Sequence, residues 1–568
     1  MVCMRYRVFA TDYDGTIATH GGVSQATVAM LQKLKATHRI LVLVTGRELK
    51  DLEKVFPAYK IFDYIVAENG ALIHYTANGK EELLGQKPPQ SFVESLQQKG
   101  VAPISVGKVI VATWEPHEKK VLEAIKAAGL EHQVIFNKGA VMVLPPGINK
   151  ATGLQALLKT IHLSIHNTIA VGDAENDGAM LQVAEYAVAV QNALPALKQR
   201  ADYVTNASHG EGVEELIGKI IENEHAEIND RLGRHHLPVG VIENNGPFTI
   251  CPYRSGILLS GVSGAGKSTF TLSIMESLII KGYQFCLVDP EGDYLELPGT
   301  VVVGSESTMP ALEEIAELLK NPEQNLVICA LSVPLPDRPS FFARLMPVLL
   351  ELRKDYGHPH WILLDEAHHL LTSEPAIAEH ILPQKLVNFI LISTSPHALN
   401  ADILSHIGTI ITIGEDPRYP IEQFCTIRKC DPPAQIPSLS QGQACVWDIE
   451  SDKQPFVIQV NMPERMIQRH KKKYAMGDMG YNSFVFTGPD NKLQLKANNL
   501  MMFVHIAEGI DDQTWLYHLH RGDYKRWSAD CIHDDELVAK VEKAAQKNRE
   551  VKDSKKIIID YIIQKYTL

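Results

Sequence analysis

Long hydrophobic runs are missing from this chain of 568 residues. No uninterrupted apolar stretch approaches the ~18 residues that a membrane-spanning helix needs. The opening MVCMRYRVFATDYDG also lacks the apolar core and the small-residue cleavage site of a signal peptide. We therefore expect a cytoplasmic protein without a membrane partner.

Paired cysteines and an excess of positive charge are absent as well. The eight cysteines lie far apart, and no C-x-x-C pair exists that would suggest a zinc site or a redox disulfide. The formal net charge of -12 argues against nucleic acid binding over the whole surface, because counterion release needs many lysines and arginines facing the phosphates. A local basic channel stays open as an alternative.

What is present is an ordinary globular composition, 45% hydrophobic and 21% charged. At ~150 residues per domain, the length predicts three or four domains. We expect an α/β domain over 1–222, a linker over 223–236, a second α/β domain over 237–460 and a small α+β domain over 461–568. The last of these receives no predicted chemistry.

The first predicted domain shows alternating apolar and helical stretches. RVFATDYD is followed by a helical pattern near 25–37, then by ILVLVTG, a second helical pattern near 48–56, and YIVAENG. This rhythm predicts a parallel sheet covered by helices on both faces. Residues from about 81 to 143 interrupt the rhythm with strands and helices of their own, so we expect an inserted α+β cap.

Acidic, hydroxyl and ammonium groups follow four of the predicted strands. They are Asp12 and Asp14 after RVFAT, Thr45 after RILVLV, Lys150 after VMVLPPGIN, and Asp173 and Asp177 after TIAVG. Open α/β sheets bind ligands at the carboxyl ends of their strands, so these groups are expected to converge. A carboxylate nucleophile, a cation and a metal site are what phosphoryl transfer needs.

The strings DYDGT, TGR, the lone lysine of LPPGINK and GDAEND occur in this order. They resemble the four motifs of haloacid dehalogenase (HAD) phosphatases, and the resemblance covers about the first 220 residues. AENGA and LPPGINK are similar to the cap-bearing subgroup of sugar-phosphate and phosphoglycolate phosphatases. The resemblance implies a Rossmann-like sheet with an inserted cap.

The same resemblance implies a catalytic role for four residues. Asp12 would attack phosphorus to form an aspartyl-phosphate, and Asp14 would protonate the leaving group and then activate water. Thr45 would hold the phosphate oxygens, and Lys150 would neutralise the nucleophile and the substrate.

A magnesium site is implied with these roles. Asp12, the Asp14 carbonyl and Asp173 would bind Mg²⁺, and Asp177 would support the site, because hard oxygen ligands suit this ion. A milder alternative is that the fold is kept while the domain is a weak phosphatase or senses a ligand.

A second phosphate-binding motif, GVSGAGKS, lies between an apolar strand and a predicted helix. It fits G-x-x-x-x-G-K-[ST], in which backbone N–H groups surround the phosphates of ATP, the lysine reaches the β and γ oxygens and the serine ligates Mg²⁺. The predicted ATP-binding residues are Gly261, Gly264, Ala265, Gly266, Lys267, Ser268 and Thr269.

The strand WILL leads into Asp365 and Glu366. Asp365 would hold Mg²⁺ and Glu366 would polarise the attacking water. LVDPEGDY resembles the HerA and FtsK group of hexameric translocases, which implies a RecA-like ATPase domain in a homo-oligomeric, hexameric ring. Such rings complete the site with a neighbour's arginine, for which Arg353 and Arg418 are candidates.

Three functions stay open from the sequence. The favoured one is a bifunctional hydrolase: the phosphatase acts on a small phosphate ester or a nucleotide, while the ATPase moves a polymer, with DNA the first choice. The second makes the P-loop domain a small-molecule kinase or a regulatory ATPase. The third is a nucleotide-gated scaffold. The acidic pair after WILL favours an ATP-hydrolysing machine over a kinase.

Overall fold

The protein is described by a computed structural model over residues 4–243, 245–371, 383, 385–451, 453–463, 479, 483–489, 492–532, 534–546 and 550–566. The chain divides into two compact units, Met1–Gly292 with Gly299–Pro463, and Asp293–Pro298 with Glu464–Leu568. Within the described ranges, no helix combines the length and the apolar character needed to cross a membrane.

The N-terminal part of the first unit alternates strands and helices. Its strands are β1 (Val8–Thr11), β2 (Ile40–Val44), β3 (Tyr64–Ala67), β4 (Leu72–Tyr75), β5 (Lys80–Leu83), β6 (Ser105–Val106), β7 (Val111–Trp114), β8 (Gln133–Asn137), β9 (Ala140–Leu144), β10 (Thr168–Gly172), β11 (Tyr186–Ala189) and β12 (Tyr203–Val204). Its helices are α1 (Gln25–Ala36), α2 (Leu49–Val55), α3 (Gln90–Gln98), α4 (Glu118–Ala127), α5 (Lys150–Thr160), α6 (Gly178–Val183), α7 (Pro195–Lys198) and α8 (His209–Asn223).

Eight of these strands form one sheet in the order β12-β11-β10-β1-β2-β3-β4-β5. The pairs from β12 to β3 are parallel, whereas β4 and β5 are added antiparallel. The central strands β1 and β10 are buried along their whole length because helices cover both faces. The expected Rossmann-like sheet is thereby confirmed.

The cap is a separate small sheet in the order β6-β7-β9-β8, with α3 and α4 packed on it. All of its strand pairs are antiparallel. Strand β5 lies inside the range expected for the cap, but it pairs with β4 in the main sheet. The separate cap sheet therefore begins only after β5, because the edge of the main sheet was still open for pairing.

The middle part of the first unit contains a second, larger sheet. Its strands are β13 (Leu237–Ile242), β14 (Gly246–Ile250), β15 (Gly256–Ser260), β16 (Phe285–Asp289), β17 (Thr300–Val303), β18 (Asn325–Cys329), β19 (Trp361–Leu364), β20 (Phe389–Ser393), β21 (Ile407–Ile413), β22 (Gln443–Asp448) and β23 (Phe456–Val460). Its α-helices among the described residues are α9 (Lys267–Lys281), α10 (Leu312–Leu319), α11 (Arg338–Tyr356), α12 (Ala401–Ser405) and α13 (Arg418–Arg428).

The strand order of this sheet is β14-β13-β23-β22-β21-β15-β20-β19-β16-β18-β17. The seven strands from β21 to β17 are parallel and carry the predicted ATP-site residues at their carboxyl ends. The other four are antiparallel. Strand β20 lies between β15 and β19, so the ends of the latter two strands are about 10 Å apart.

A buried polar junction joins the two sheets within the first unit. The Asn167 side-chain N–H₂ donates to the Gly357 carbonyl at 3.1 Å, and its oxygen lies 3.1 Å from His360 Nε2. Asn167 directly precedes β10, and His360 directly precedes β19. Each of these strands therefore starts at the junction and ends next to a predicted metal-binding acid, Asp173 or Asp365, so both predicted centres lie about one strand length away from the junction.

The second unit contains the short strands β24 (Phe484–Phe486) and β25 (Leu495–Ala497), which pair antiparallel. Its α-helices among the described residues are α14 (Leu500–Gly509), α15 (Asp512–His520), α16 (Asp523–Trp527), α17 (Asp535–Ala544) and α18 (Val551–Tyr566). Its core combines aliphatic side chains with aromatic ones, among them Phe503, Trp515 and Tyr524.

Candidate functional site

A buried lysine joins two aspartates at the carboxyl ends of the first sheet. Lys150 is the first residue of α5, and its ammonium donates to Asp12 Oδ1 at 2.5 Å and to Asp177 Oδ1 at 2.6 Å. All three side chains are at most 5% exposed. The other oxygen of Asp177 accepts the backbone N–H groups of Asp173 and Ala174, both at 2.9 Å.

Thr16 connects this triad to a further aspartate. Its hydroxyl lies 3.3 Å from Asp12 Oδ2 and 3.2 Å from Asp173 Oδ1. One carboxylate oxygen from each of Asp12, Asp173 and Asp177 lies within 4.8 Å of the others. The structure therefore brings together the acids that the sequence placed on separate strand ends.

Burial and mutual repulsion shape the ionisation of this cluster. Burial raises the pKa of Asp12, the neighbouring Asp177 raises it further, and Lys150 opposes both. Burial alone would lower the pKa of Lys150, but its two aspartate partners outweigh that effect and raise it. Lys150 therefore stays charged, and a second cation near Asp12 and Asp173 would relieve the remaining repulsion.

An ammonium from the cap marks where such a cation would bind. Lys138 Nζ donates to Asp173 Oδ2 at 2.6 Å and to the Asp14 carbonyl at 3.1 Å. These are two of the three oxygens expected to hold Mg²⁺, and they point at one shared position. The hard oxygens of Asp12, Asp14 and Asp173 thus fit this ion, with Asp177 holding the Asp173 backbone beside them.

Asp14 and Thr45 lie at neighbouring strand ends. Both carboxylate oxygens of Asp14 accept from Arg47, at 2.6 and 2.7 Å, and Arg47 also donates to Asp51. The buried Thr45 hydroxyl accepts the Arg47 backbone N–H at 3.1 Å. A bidentate pair of this kind fixes the orientation of Asp14 at the half-exposed side of the cleft.

Sequence reasoning missed three residues of this site: Thr16, Arg47 and Lys138. Thr16 and Arg47 stand inside the quoted strings DYDGT and TGR, so the motifs contained the signal. Lys138 lies between two cap strands, 35 positions before Asp173. No local pattern shows that this hairpin reaches the acids of the main sheet.

Comparison with known proteins agrees with this geometry. Residues 9–102 and 89–217 match the family described as haloacid dehalogenase-like hydrolases. The N-terminal part is 30% identical over 224 residues to a phosphoglycolate phosphatase of Methanothermobacter thermautotrophicus, covering 38% of this chain and 99% of that protein. The chain belongs to the haloacid dehalogenase-like hydrolases.

Two further HAD relatives cover the same part of the chain. Phosphoglycolate phosphatase 2 of Saccharolobus solfataricus is 33% identical over 225 residues, which are 37% of this chain and 91% of the relative. A crystal structure of a HAD-like hydrolase from Bacteroides thetaiotaomicron covers 38% of this chain and 99% of its own, at 21% identity and a TM-score of 0.34. The family match and the two phosphoglycolate phosphatases show that the N-terminal part is a HAD phosphatase domain.

The second predicted centre forms a loop and helix start after β15. Gly264 and Gly266 have φ angles of 81° and 105°, which side chains with a Cβ rarely adopt. Lys267 begins α9, and its ammonium donates to the carbonyls of Gly261 and Val262 at 2.8 and 3.2 Å. The lysine side chain therefore folds back over the loop, and its ammonium is held by the loop carbonyls.

The remaining loop residues lie close to this lysine. The Ala265 backbone N–H donates to the Val262 carbonyl at 3.2 Å, and Ser268 and Thr269 lie in the first turn of α9. A Cβ at Gly261 would collide with the Ile413 carbonyl at the end of β21, so glycine is required there.

Asp365 and Glu366 follow β19, two strands from the loop. Burial raises the pKa of Asp365 to about 7, and the neighbouring carboxylates of Asp289 and Glu366 add to the effect. Glu366 has a φ of 38°, its N–H donates to Asp365 Oδ1, and its carboxylate lies 3.4 Å from His368 Nδ1. Asp365 is therefore a buried carboxyl with two further acids close enough to raise its pKa.

The two arginine candidates differ in their placement. Arg353 is 7% exposed and donates to the backbone carbonyls of Pro359 and His360 before β19, so its guanidinium has a structural role inside the unit. The expectation that it could serve a neighbouring subunit is wrong for that reason. Arg418 is exposed and forms a weak pair with Glu422 at 3.7 Å, so it stays a candidate.

Proposed function

We propose that the HAD domain is a Mg²⁺-dependent phosphatase for a small phosphate ester, with phosphoglycolate as the first candidate substrate. The observation that carries the proposal is the buried contact of Lys150 with both Asp12 and Asp177. The names of the two archaeal relatives support the substrate, since each is called a phosphoglycolate phosphatase. A sugar phosphate or a nucleotide is the alternative substrate class.

In this proposal, Asp12 attacks phosphorus while the ester oxygen leaves. Asp14 gives that oxygen its proton, and then takes a proton from the water that hydrolyses the aspartyl-phosphate. Lys150 holds the attacking carboxylate in place through its 2.5 Å contact and balances its charge. Thr45 binds the phosphate oxygens. Asp12, the Asp14 carbonyl and Asp173 would hold Mg²⁺, which would supply positive charge against the transferred phosphate.

Asp12→Asn tests the nucleophile. We expect the turnover of phosphoglycolate to fall by ~10⁴-fold or more, because the covalent step is lost. Asp355→Asn, at an exposed position of α11, is the matched control and should keep full turnover. Both variants are measured by phosphate release with Mg²⁺ present. Substantial residual turnover in Asp12→Asn would refute the assigned nucleophile.

We further propose that the middle part binds and hydrolyses ATP. The supporting observation is the Lys267 ammonium inside a loop of positive-φ glycines, two strands from the acid pair of Asp365 and Glu366. In this role Ser268 and Asp365 hold the Mg²⁺ of the nucleotide, and Glu366 orients water. A homo-hexameric ring that translocates DNA is the first form of this proposal; a small-molecule kinase, a regulatory ATPase and a nucleotide-gated scaffold are the alternatives.

Lys267→Ala tests this second function. We expect ATP hydrolysis to be lost while phosphoglycolate turnover stays unchanged, because the loop lies on a different sheet from Asp12. Solution mass measured with and without ATP, and ATP turnover measured with and without DNA, separate the alternatives. A stable monomer with ATP would argue against the ring, and a protein that binds ATP without turning it over would favour the scaffold.

A further inference from the structure

The tip of a cap hairpin carries a lysine into the phosphatase cleft. Lys138 and Gly139 connect β8 to β9, with φ angles of 48° and 85°. Two-residue turns with positive φ at both positions favour Asn, Asp or Gly, because a Cβ is strained there. Turn formation therefore does not explain the lysine at the first position, and a role for its side chain is the alternative explanation.

The side chain spans from solvent to buried acids. Lys138 is 45% exposed, yet its ammonium lies 2.6 Å from Asp173 Oδ2, on a residue that is only 2% exposed. The same ammonium also contacts the Asp14 carbonyl at 3.1 Å. It therefore occupies the position at which the two oxygens would share a metal ion.

Lys138 and Mg²⁺ cannot hold that position together, because two positive charges within bonding distance of the same oxygens repel strongly. In the loaded site the ammonium must turn elsewhere on a stem that is anchored in the cap. The neighbouring Arg47 already has both Asp14 oxygens and Asp51 as partners. The displaced Lys138 ammonium can then pair with an anion that enters the cleft with the substrate.

We propose that Lys138 is a specificity-determining residue: with Mg²⁺ in the acid site, its ammonium binds a second anionic group on the leaving-group side of the ester. This inference rests on the proposed phosphatase function and defines its substrate class. Substrates carry a carboxylate or a further phosphate beside the phosphate that is cleaved. Phosphoglycolate fits that requirement, because its carboxylate is next to the ester carbon. Phosphates of uncharged sugars and aryl phosphates do not fit it, because their leaving groups have no second anionic group.

Lys138→Met tests the selectivity, with phosphoglycolate, a bisphosphate and 4-nitrophenyl phosphate as substrates. We expect kcat/KM for the best substrate with a second anionic group to fall by about 10- to 100-fold, mainly through KM, because one charge-assisted hydrogen bond is lost. For 4-nitrophenyl phosphate, which lacks a second anion, kcat/KM should change by less than about threefold. Lys138→Arg should recover part of the selectivity. Comparing phosphoglycolate with the bisphosphate shows which second anion is preferred.

Mg²⁺ binding without substrate provides a readout that does not depend on turnover. Titration calorimetry should show tighter Mg²⁺ binding to Lys138→Met than to the wild type, since the competing ammonium is gone. Lys126→Met, at an exposed position of α4 in the same cap, is the matched control and should change neither Mg²⁺ affinity nor selectivity.

The outcomes separate this inference from the function beneath it. If the wild type is active and Lys138→Met lowers kcat/KM equally for all esters, the role of Lys138 is overturned while the phosphatase function stands. The same holds if the variant keeps both the wild-type selectivity and the wild-type Mg²⁺ affinity. A wild type that hydrolyses no phosphate ester overturns the phosphatase function and this inference together.

Discussion

At the scale of single residues, the phosphatase site depends on buried charges that are stable only because they form ion pairs with one another. Lys150, Asp12 and Asp177 are almost completely removed from water. An isolated buried charge is strongly disfavoured, whereas a paired and hydrogen-bonded one is tolerated. The site is therefore held together by the same contacts that orient its nucleophile.

Lys150→Met should destabilise the first unit as well as inactivate the phosphatase. Removing the ammonium leaves two buried carboxylates facing each other, and breaking a buried ion pair in this way typically costs ~3–5 kcal/mol. The free energy of unfolding from urea titrations checks this. Lys33→Met, on the exposed face of α1, should leave it unchanged. An unaltered unfolding midpoint for Lys150→Met would show that the ion pairs contribute little.

At the scale of secondary structure, helix α5 positions Lys150 through close packing. Asn149 caps the helix in a reciprocal arrangement with Thr152. Gly153, in the first turn of α5, packs against Gly70 in the turn after β3. The contact is so close that a Cβ added at Gly153 would lie 2.6 Å from the Gly70 Cα. The glycine at this position lets the start of α5 approach the sheet, and with it the lysine.

Gly153→Ala should therefore push α5 away from this turn. We expect a loss of ~1–3 kcal/mol in unfolding free energy, as overpacking commonly causes, together with a lower kcat as Lys150 moves from Asp12. Gly218→Ala on α8 is the control, because a Cβ there has open space around it. That change should be neutral or stabilising by roughly 0.5–1 kcal/mol. Equal behaviour of the two variants would rule out the close-packing argument.

At the scale of the whole first unit, the junction between the two sheets is built from buried histidines around one carboxylate. Glu185 is fully buried and contacts His166 Nδ1 at 2.7 Å and the Tyr283 hydroxyl at 2.8 Å. His235 Nδ1 lies 3.3 Å from the same carboxylate. Burial opposes the charge of Glu185, but His235 and the other partners outweigh it and lower its pKa to about 2. The junction thus contains one permanent negative charge.

Stability should consequently fall in mild acid. Burial lowers the pKa of His235 to about 4 and also lowers the pKa of His360 well below its usual value. An unfolded histidine titrates near ~6.5. Below that pH the unfolded chain takes up protons that the folded chain does not. The folded state therefore loses stability as the pH falls from ~6.5 towards 4. Urea midpoints of the wild type at pH 8, 6.5 and 5 would follow this loss.

His235→Gln provides the comparison for this prediction. The variant removes one of the titrating groups, so its stability should depend less steeply on pH over the same range. Carboxylates contribute to the pH dependence of stability mainly at lower pH, so the comparison does not go below pH 5. A wild type with constant stability between pH 8 and 5, or a variant with the same slope, would contradict the assignment.

The chain's sequence by itself determined the two α/β patterns, the order of the phosphatase motifs and most of the acids that meet in its cleft. It could do so because strand and helix periodicities are local, and because the carboxyl ends of parallel strands share one edge. Asp12 and Asp177 therefore followed from their positions after strands of the main sheet. Lys150 was identified by its motif instead, because it begins α5 after the antiparallel cap strand β9. The same reasoning placed Lys267 and Asp365 after two strands of the second sheet, which the structure separates by one strand, β20.

Only the tertiary structure decided which distant side chains complete these sites. Lys138 comes from a hairpin of another sheet, and Arg353 turned inward to hold the loop before β19. The histidine junction around Glu185 likewise arises between segments far apart in the chain. Such contacts depend on how separately folded layers pack, and the spacing of residues along one strand or helix carries no record of that packing.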